Sequence, residues 1–269
     1  MTMKCCVIIP AAGSSTRFSA GSKQDKLAQD LGGRPLLIRT VELFTKRPEV
    51  TAIVVAGPPD TMPEFKLRYG DKLAFHGAKL VAGGTRARWE TVQKALEAVP
   101  DDCTHIAVHD AARPAVDEQL LDRLFEAAAK FDAVVPTVAI ASTVKRLSEE
   151  TEAAAEVDPL AARILGDAGK PTAQARTVVE TVDRRGLYES QTPEIFKADL
   201  LRKAYASLNP DAGDDVTDDA ILVERLGSTV HAVDGDVTNV KVTIAGDLRL
   251  VRAILGVRPP KDRPVHKRF

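Results

Sequence analysis

Apolar and polar positions along this chain fall into two alternating patterns. Val7, Ile8 and Ile9 form a short continuous apolar run, the pattern of a strand covered on both faces of a parallel sheet. Similar runs recur at Thr51 to Ala56, Lys79 to Ala82, Ile106 to His109 and Ala133 to Val138. Between them apolar residues take helical spacing. Arg34 and Pro35 open a helix bearing Leu36, Leu37, Val41 and Phe44, with Pro35 in its first turn, and Pro63 to about Tyr69 reads as a short one. A helix from about Trp89 to Ala98 sets Val92 and Leu96 on one side, and Asp117 caps another that runs through Phe131. The alternation predicts an α/β fold: a doubly wound, mostly parallel sheet with right-handed crossovers, binding ligands at the carboxyl ends of its strands.

The alternation breaks after Ile140. Ala141 to Leu147 reads as an exposed strand and Thr177 to Asp183 as its partner. The stretch between them, about 149–176, is acidic and alanine-rich and then holds glycine and proline, with one short helix expected around Asp158 to Gly166. A paired ribbon leaving the core needs cover for its apolar face, which predicts an arm packed on a second subunit; a self-contained surface loop is the alternative. The chain then returns with helices from Phe196 to Leu208 and from Asp214 to about Leu226, strands at Thr229 to Val233 and Asn239 to Thr243, and a closing helix from Ala245 to Leu255. One domain is expected over 1–258, with the arm and insertion at about 141–184, followed by a basic, frayed tail at 259–269.

Charge narrows the possible partners. The 269 residues hold 37 Lys and Arg against 38 Asp and Glu, so nothing global recruits nucleic acid or an anionic membrane. Cys5, Cys6 and Cys103 have no metal-ligand spacing and form an odd set, which points to a reducing compartment. The apolar run after Lys4 is too short for a signal peptide or a membrane span, so a cytoplasmic protein is expected.

The candidate chemistry begins where the first strand stops. Pro10, Ala11, Ala12 and Gly13 keep side chains small where a backbone must approach a ligand. Ser14, Ser15 and Thr16 add hydroxyls and amides, and Arg17 and Lys26 add cations. That is the make-up of a polyphosphate cradle, although an ordinary βα turn with two solvated cations has the same local composition. Neither the P-loop nor the dinucleotide fingerprint is present. Three further clusters sit near strand ends. In His109-Asp110-Ala111-Ala112-Arg113-Pro114, Asp110 suits a metal or a substrate hydroxyl and Arg113 a phosphate, or both serve as a structural cap; His109 reads as a structural strand-end residue. Thr181-Val182-Asp183-Arg184 with Gln191-Thr192-Pro193 brings a cation and a hydroxyl, and Lys241 lies between Val240 and Val242.

The loop from Pro10 to Lys26 resembles that of nucleotidyltransferases that activate sugar or polyol phosphates. With Gly83-Gly84, the hexapeptide at His109, Thr181 to Arg184, Gln191 to Pro193 and Val240 to Thr243 in this order, the chain closely resembles the 2-C-methyl-D-erythritol 4-phosphate cytidylyltransferase family from Val7 to about Ile254. The resemblance implies transfer of CMP from CTP to methylerythritol phosphate with release of pyrophosphate, Mg²⁺ carried mainly by the CTP phosphates, and a homodimer formed through the arm. It implies that Arg17 and Lys26 hold the triphosphate, and that Lys241 shares with them the stabilisation of the reacting phosphoryl group. Ala11, Ala12, Gly13 and Gly84, with the Thr91 hydroxyl and Asp110, would bind the nucleotide. Asp110, also a possible metal contact, and Arg113 would border the polyol, and Thr143, Arg184, Thr192, Thr217 and Lys241 would grip the substrate phosphate, Thr143 and Arg184 reaching a neighbouring subunit.

The chain departs from the family at three places. The Arg17-to-Lys26 spacing is longer, making Lys23 a rival for the lysine role; Gly83 to Thr91 holds an extra residue, which loosens Thr91 and Arg88; and Leu147 to Arg176 is extended. A cytidylyltransferase for another polyol phosphate, such as ribitol 5-phosphate, shares most of these motifs, and a catalytically silent nucleotide-binding module is the alternative of another class. The absence of a Ser–His–Asp set suits the implied reaction, because a phosphate monoester with a second pKa of about 6 is already a competent nucleophile. Catalysis then reduces to in-line placement and charge neutralisation.

Overall fold

A computed structural model of the chain describes residues 3–13, 18, 25–153, 174–209 and 216–258. The elements of the first half are β1 (Cys5–Pro10), α1 (Leu36–Glu42), β2 (Val50–Gly57), α2 (Met62–Phe75), β3 (Ala78–Ala82), α3 (Arg88–Leu96), β4 (His105–Val108), α4 (Glu118–Ala128) and β5 (Ala133–Ala139). There follow β6 (Val144–Leu147), β7 (Glu152–Ala153), β8 (Gln174–Ala175), β9 (Val178–Val182), β10 (Tyr188–Ser190), β11 (Glu194–Lys197), α5 (Ala198–Ala206), α6 (Ala220–Arg225), β12 (His231–Asp234) and α7 (Ala245–Ile254). They group into two compact units, Met1–Val138 with Ser190–Phe269, and Ala139–Glu189.

The central sheet of the first unit explains why β1 reads as continuously apolar. β1 pairs in parallel with β2 and β4, and β2 in parallel with β3. Successive side chains of a strand point to opposite faces. Cys5, Val7 and Ile9 therefore enter one core with α1, α2, α4 and α7, while Cys6 and Ile8 enter a second core with α3, α5 and α6. Both faces are covered, and each fully buried Val or Ile contributes roughly 1.5–3 kcal/mol. Asp117 caps α4 by accepting a hydrogen bond from the Leu120 N–H at 2.7 Å, a contact of about 1 kcal/mol.

Several boundaries differ from the sequence reading. Pro35 occupies the cap of α1 rather than its first turn. The helix α2 runs on to Phe75 because Phe65, Tyr69 and Leu73 extend one buried stripe through Gly70. The helix expected from Phe196 instead begins at Ala198, and Glu194–Lys197 is a strand. β11 lies antiparallel between β4 and β5, so Ile195 and Phe196 are buried on opposite faces and give no alternation to read. β12 pairs in parallel with β5. The strand expected at Asn239 to Thr243 is an irregular segment, tied to the turn after β4 by a backbone bond from the Val242 N–H to the Ala112 carbonyl at 2.8 Å. Val242 is nevertheless buried and Lys241 exposed, as the alternation implies.

In the second unit β6 and β9 pair antiparallel, Val144 opposite Val182 and Lys145 opposite Thr181, and β7 pairs with β8. Leu147, Val178 and Val179 are exposed on this ribbon. The helix expected around Asp158 to Gly166, the opening of the helix expected from Asp214, and the tail at 259–269 lie outside the described residues. Among the described residues no helix is long and apolar enough to cross a membrane.

Candidate active site

A cleft of about 400 Å³ opens at the carboxyl ends of β1, β3 and β4, where a doubly wound sheet binds its ligands. Ala11, Ala12 and Gly13 line it from the turn after β1, and Lys26 from the short helical turn that follows. That turn is anchored by Asp25, which accepts from the Leu27 N–H at 2.9 Å, from Arg68 at 2.7 Å and from the Tyr69 hydroxyl at 3.1 Å. Gly84, Arg88 and Thr91 line the cleft from the segment after β3, and Asp110 and Lys241 complete it.

The loop after β3 is shaped by close approach. A Cβ on Gly83 would lie 2.8 Å from Thr91 and 3.0 Å from Ala12, and one on Gly84 would meet Glu90 at 2.6 Å. Only glycine permits that packing. The Glu90 carboxylate accepts from the Thr85 and Arg86 N–H groups at 2.8 and 2.9 Å, and the Thr91 hydroxyl accepts from the Gly84 N–H at 3.1 Å. Those backbone hydrogen bonds hold Glu90 below its usual pKa.

Asp110 is the electrostatic centre of the cleft. Its Oδ2 lies 2.8 Å from Lys241 Nζ and 3.4 Å from Arg113 Nε, and its Oδ1 lies 3.4 Å from Arg88 Nε. Burial alone would raise its pKa. Arg88, Lys241 and Arg113 outweigh burial and hold the carboxyl well below the usual range. Behind it, the Asp110 N–H donates to Thr192 Oγ1 at 3.0 Å, Thr192 pairs with His109 Nδ1 at 3.0 Å, and His109 Nε2 pairs with the Arg113 carbonyl at 3.0 Å. Burial pushes the His109 pKa down to about 4, so the ring is neutral. A neutral ring facing a carbonyl at Nε2 carries its hydrogen there and accepts the Thr192 hydroxyl at Nδ1. His109 is therefore a structural relay behind Asp110, as its strand-end position suggests.

The segment bearing Lys241 is also fastened through Asn239. Asn239 Nδ2 donates to the Thr192 carbonyl at 2.9 Å, and Arg113 donates to the Asn239 carbonyl at 2.6 Å. A second layer lies under Arg88, whose Nη1 is 2.6 Å from Asp219 Oδ2. Asp219 also takes the Tyr205 hydroxyl, and its N–H donates to Glu194 Oε2 at 3.0 Å. Burial works against the Arg88 charge, but Asp219 and Asp110 raise its pKa further above an already high value.

The expected site residues divide into four groups. Ala11, Ala12, Gly13, Lys26, Gly84, Thr91, Asp110 and Lys241 come together around the cleft. Thr192 and Arg113 sit behind Asp110 and are not among the lining residues, and Thr217 is exposed outside the lining. Thr143 and Arg184 are exposed in the second unit, where Arg184 donates to the Ile140 carbonyl at 3.3 Å. Arg17 and its neighbour Lys23 lie outside the described residues. Sequence reasoning missed the buried set of Glu194, Tyr205 and Asp219 and gave Arg88 no role. The run of acids ending at Asp219 was its one signal, and that run reads equally well as a helix opening.

Among the described residues no group of three or more His, Cys, Asp and Glu could hold a metal. Both oxygens of Asp110 face cations, Lys241 at 2.8 Å and Arg88 and Arg113 at 3.4 Å, which makes it an ion-pair hub.

Fold and site together define an α/β protein with a cation-lined cleft at the carboxyl ends of its strands. The sequence matches the family model for 2-C-methyl-D-erythritol 4-phosphate cytidylyltransferase over residues 5–159 and 147–257. It is 40% identical over 258 residues to the enzyme of that name from Frankia casuarinae, covering 95% of this chain and 82% of the relative. It is 33% identical to the one from Acidobacterium capsulatum, over 95% of this chain and 99% of the relative. A crystal structure of 2-C-methyl-D-erythritol 4-phosphate cytidylyltransferase from Thermus thermophilus superposes with a TM-score of 0.68 at 30% identity, covering 95% of this chain and all of that one. The chain belongs to the 2-C-methyl-D-erythritol 4-phosphate cytidylyltransferase family.

Proposed function

We propose that this protein transfers CMP from CTP to 2-C-methyl-D-erythritol 4-phosphate, giving 4-diphosphocytidyl-2-C-methyl-D-erythritol and pyrophosphate. Family membership supports the reaction, and the observation that carries it at the site is the meeting of the small-residue turn after β1 with Lys26, Lys241 and Asp110 in one cleft. An oxygen of the substrate phosphate bonds to the α-phosphorus of CTP. The bond from that phosphorus to the bridging oxygen breaks, and pyrophosphate leaves with the electron pair. The nucleophile is largely dianionic at neutral pH, so no general base is needed. Lys26, Lys241 and Arg17 neutralise charge as the five-coordinate phosphorus forms. Mg²⁺ would be held mainly by the CTP phosphates, with Asp110 as the carboxylate of the cleft that could contact it.

The backbone carbonyls near Ala11 and Gly84 suit the amino group of cytosine, since the Ala11 N–H is bound to the Ala56 carbonyl and the Gly84 N–H to Thr91. The exposed apolar residues Leu147, Val178 and Val179 support an arm that packs on a second copy, delivering Thr143 and Arg184 to the partner's site. Pyrophosphate release measured with CTP and each polyol phosphate offered separately tests the reaction. Methylerythritol phosphate should support turnover, and ribitol 5-phosphate should not.

A further inference from the structure

Glu194 lies in β11 opposite Val108 with no exposed surface. Its Oε2 accepts from the Asp219 N–H at 3.0 Å, while its Oε1 has no hydrogen-bond partner among the described residues. Burial strongly disfavours an ionised carboxylate in that position. The groups facing it relieve little of that penalty, Arg88 being outweighed by burial and Asp219. They are Asp218 and Asp219 from the segment before α6, Arg88 from α3 and Tyr205 from α5. Two are acids, and the one guanidinium is already held by Asp219 at 2.6 Å and by Asp110 at 3.4 Å. Burial, and then the Asp219 charge, push the Glu194 carboxyl well above its usual range.

We infer that Glu194 is a neutral carboxylic acid and a positioning residue, which fixes the Asp219 turn and through it the Arg88 guanidinium that meets Asp110 at the cleft. Its neutrality has an electrostatic consequence. The contact chain of Asp110 and Asp219 with Arg88, Arg113 and Lys241 then carries one more positive than negative charge, which favours a polyanion. A charged Glu194 would cancel that excess. The kinetic consequence rests on the cytidylyl-transfer reading; the protonation state does not.

Infrared difference spectra of wild type against Glu194→Gln at neutral pH read the protonation directly. The protonated-carboxyl C=O stretch should be present in wild type and missing in the variant. Its absence from wild type overturns the inference. In kinetics with CTP and methylerythritol phosphate, Glu194→Gln keeps the neutral hydrogen-bonding shape and should stay within about twofold of wild type. Glu194→Leu loses the anchor of the turn, and its kcat should fall about a hundredfold with a smaller change in KM, since a displacement near 1 Å costs that much. A Gln variant as slow as the Leu variant, or a Leu variant as fast as wild type, overturns the positioning role. Should Glu194→Leu fail to fold, the spectrum and the Gln variant still decide. A wild type inactive on CTP would contradict the proposed reaction and leave the spectral result standing.

Discussion

Lys241 Nζ lies 2.8 Å from Asp110 Oδ2, and the same carboxylate is met by Arg88 and Arg113. The lysine aimed at the cleft is thus held by a buried acid that two arginines keep ionised. Its backbone is held separately, through Asn239 and Val242. Lys241 is placed before any ligand arrives, which is what electrostatic stabilisation of a transition state requires.

Replacing that acid should uncouple the cations. Asp110→Asn is expected to lower turnover by about tenfold or more. Its stability cost should be about 3 kcal/mol or less, because Lys241 is 42% exposed and solvent screens the pair. Steady-state kinetics and denaturant midpoints measure the two effects. Unchanged turnover in a folded variant would show that Lys241 does not depend on this contact.

Acid should weaken the fold through His109. Its folded pKa of about 4 lies below the ordinary value of 6.5, so the unfolded chain binds the extra proton first. The stability from the neutral ring is fully present above about pH 6.5 and is lost as pH falls to about 4, up to roughly 3 kcal/mol in all. His105, also lowered by burial, contributes in the same direction. Denaturant midpoints across this window should fall less steeply for His109→Gln than for wild type. Parallel curves would assign the acid sensitivity elsewhere.

The cradle lysine can be distinguished from its neighbour. Lys26 lines the cleft on a turn anchored by Asp25. Lys26→Ala should lower kcat by about a hundredfold, while Lys23→Ala should change it little. The opposite ranking would mean that the extra length of this loop is accommodated on the other side of Lys26.

The arm is testable by subunit exchange. Lys26→Ala and Arg184→Ala chains, each inactive alone, should together recover roughly a quarter of wild-type activity if Arg184 serves the partner's site. Random reassortment makes about half the dimers mixed, each with one intact site. No recovery after demonstrated exchange would reduce the arm to a contact surface.

Most of the sheet was legible because its parallel strands are covered on both faces, and short runs such as Val7 to Ile9 have few other readings. β11 was not, because Ile195 and Phe196 are both buried and run directly into α5, so one apolar run serves two elements. The residues lining the cleft were legible only in company, since the turn after β1 with its cations also reads as an ordinary βα turn until Gly83-Gly84, the hexapeptide at His109 and Lys241 stand in order beside it. Asp219, Tyr205 and Glu194 come from separate elements and meet Arg88 only in the fold, where no local spacing signals them.

Incubating the purified protein with CTP, Mg²⁺ and 2-C-methyl-D-erythritol 4-phosphate and following pyrophosphate release, with UTP as competitor, tests the cytidylyl transfer itself. A mismatched buried polar pair costs roughly 1–3 kcal/mol, so pyrophosphate and 4-diphosphocytidyl-2-C-methyl-D-erythritol should form in equal amounts, with CTP favoured about tenfold or more. No pyrophosphate from CTP, or equal use of CTP and UTP, would contradict this reading.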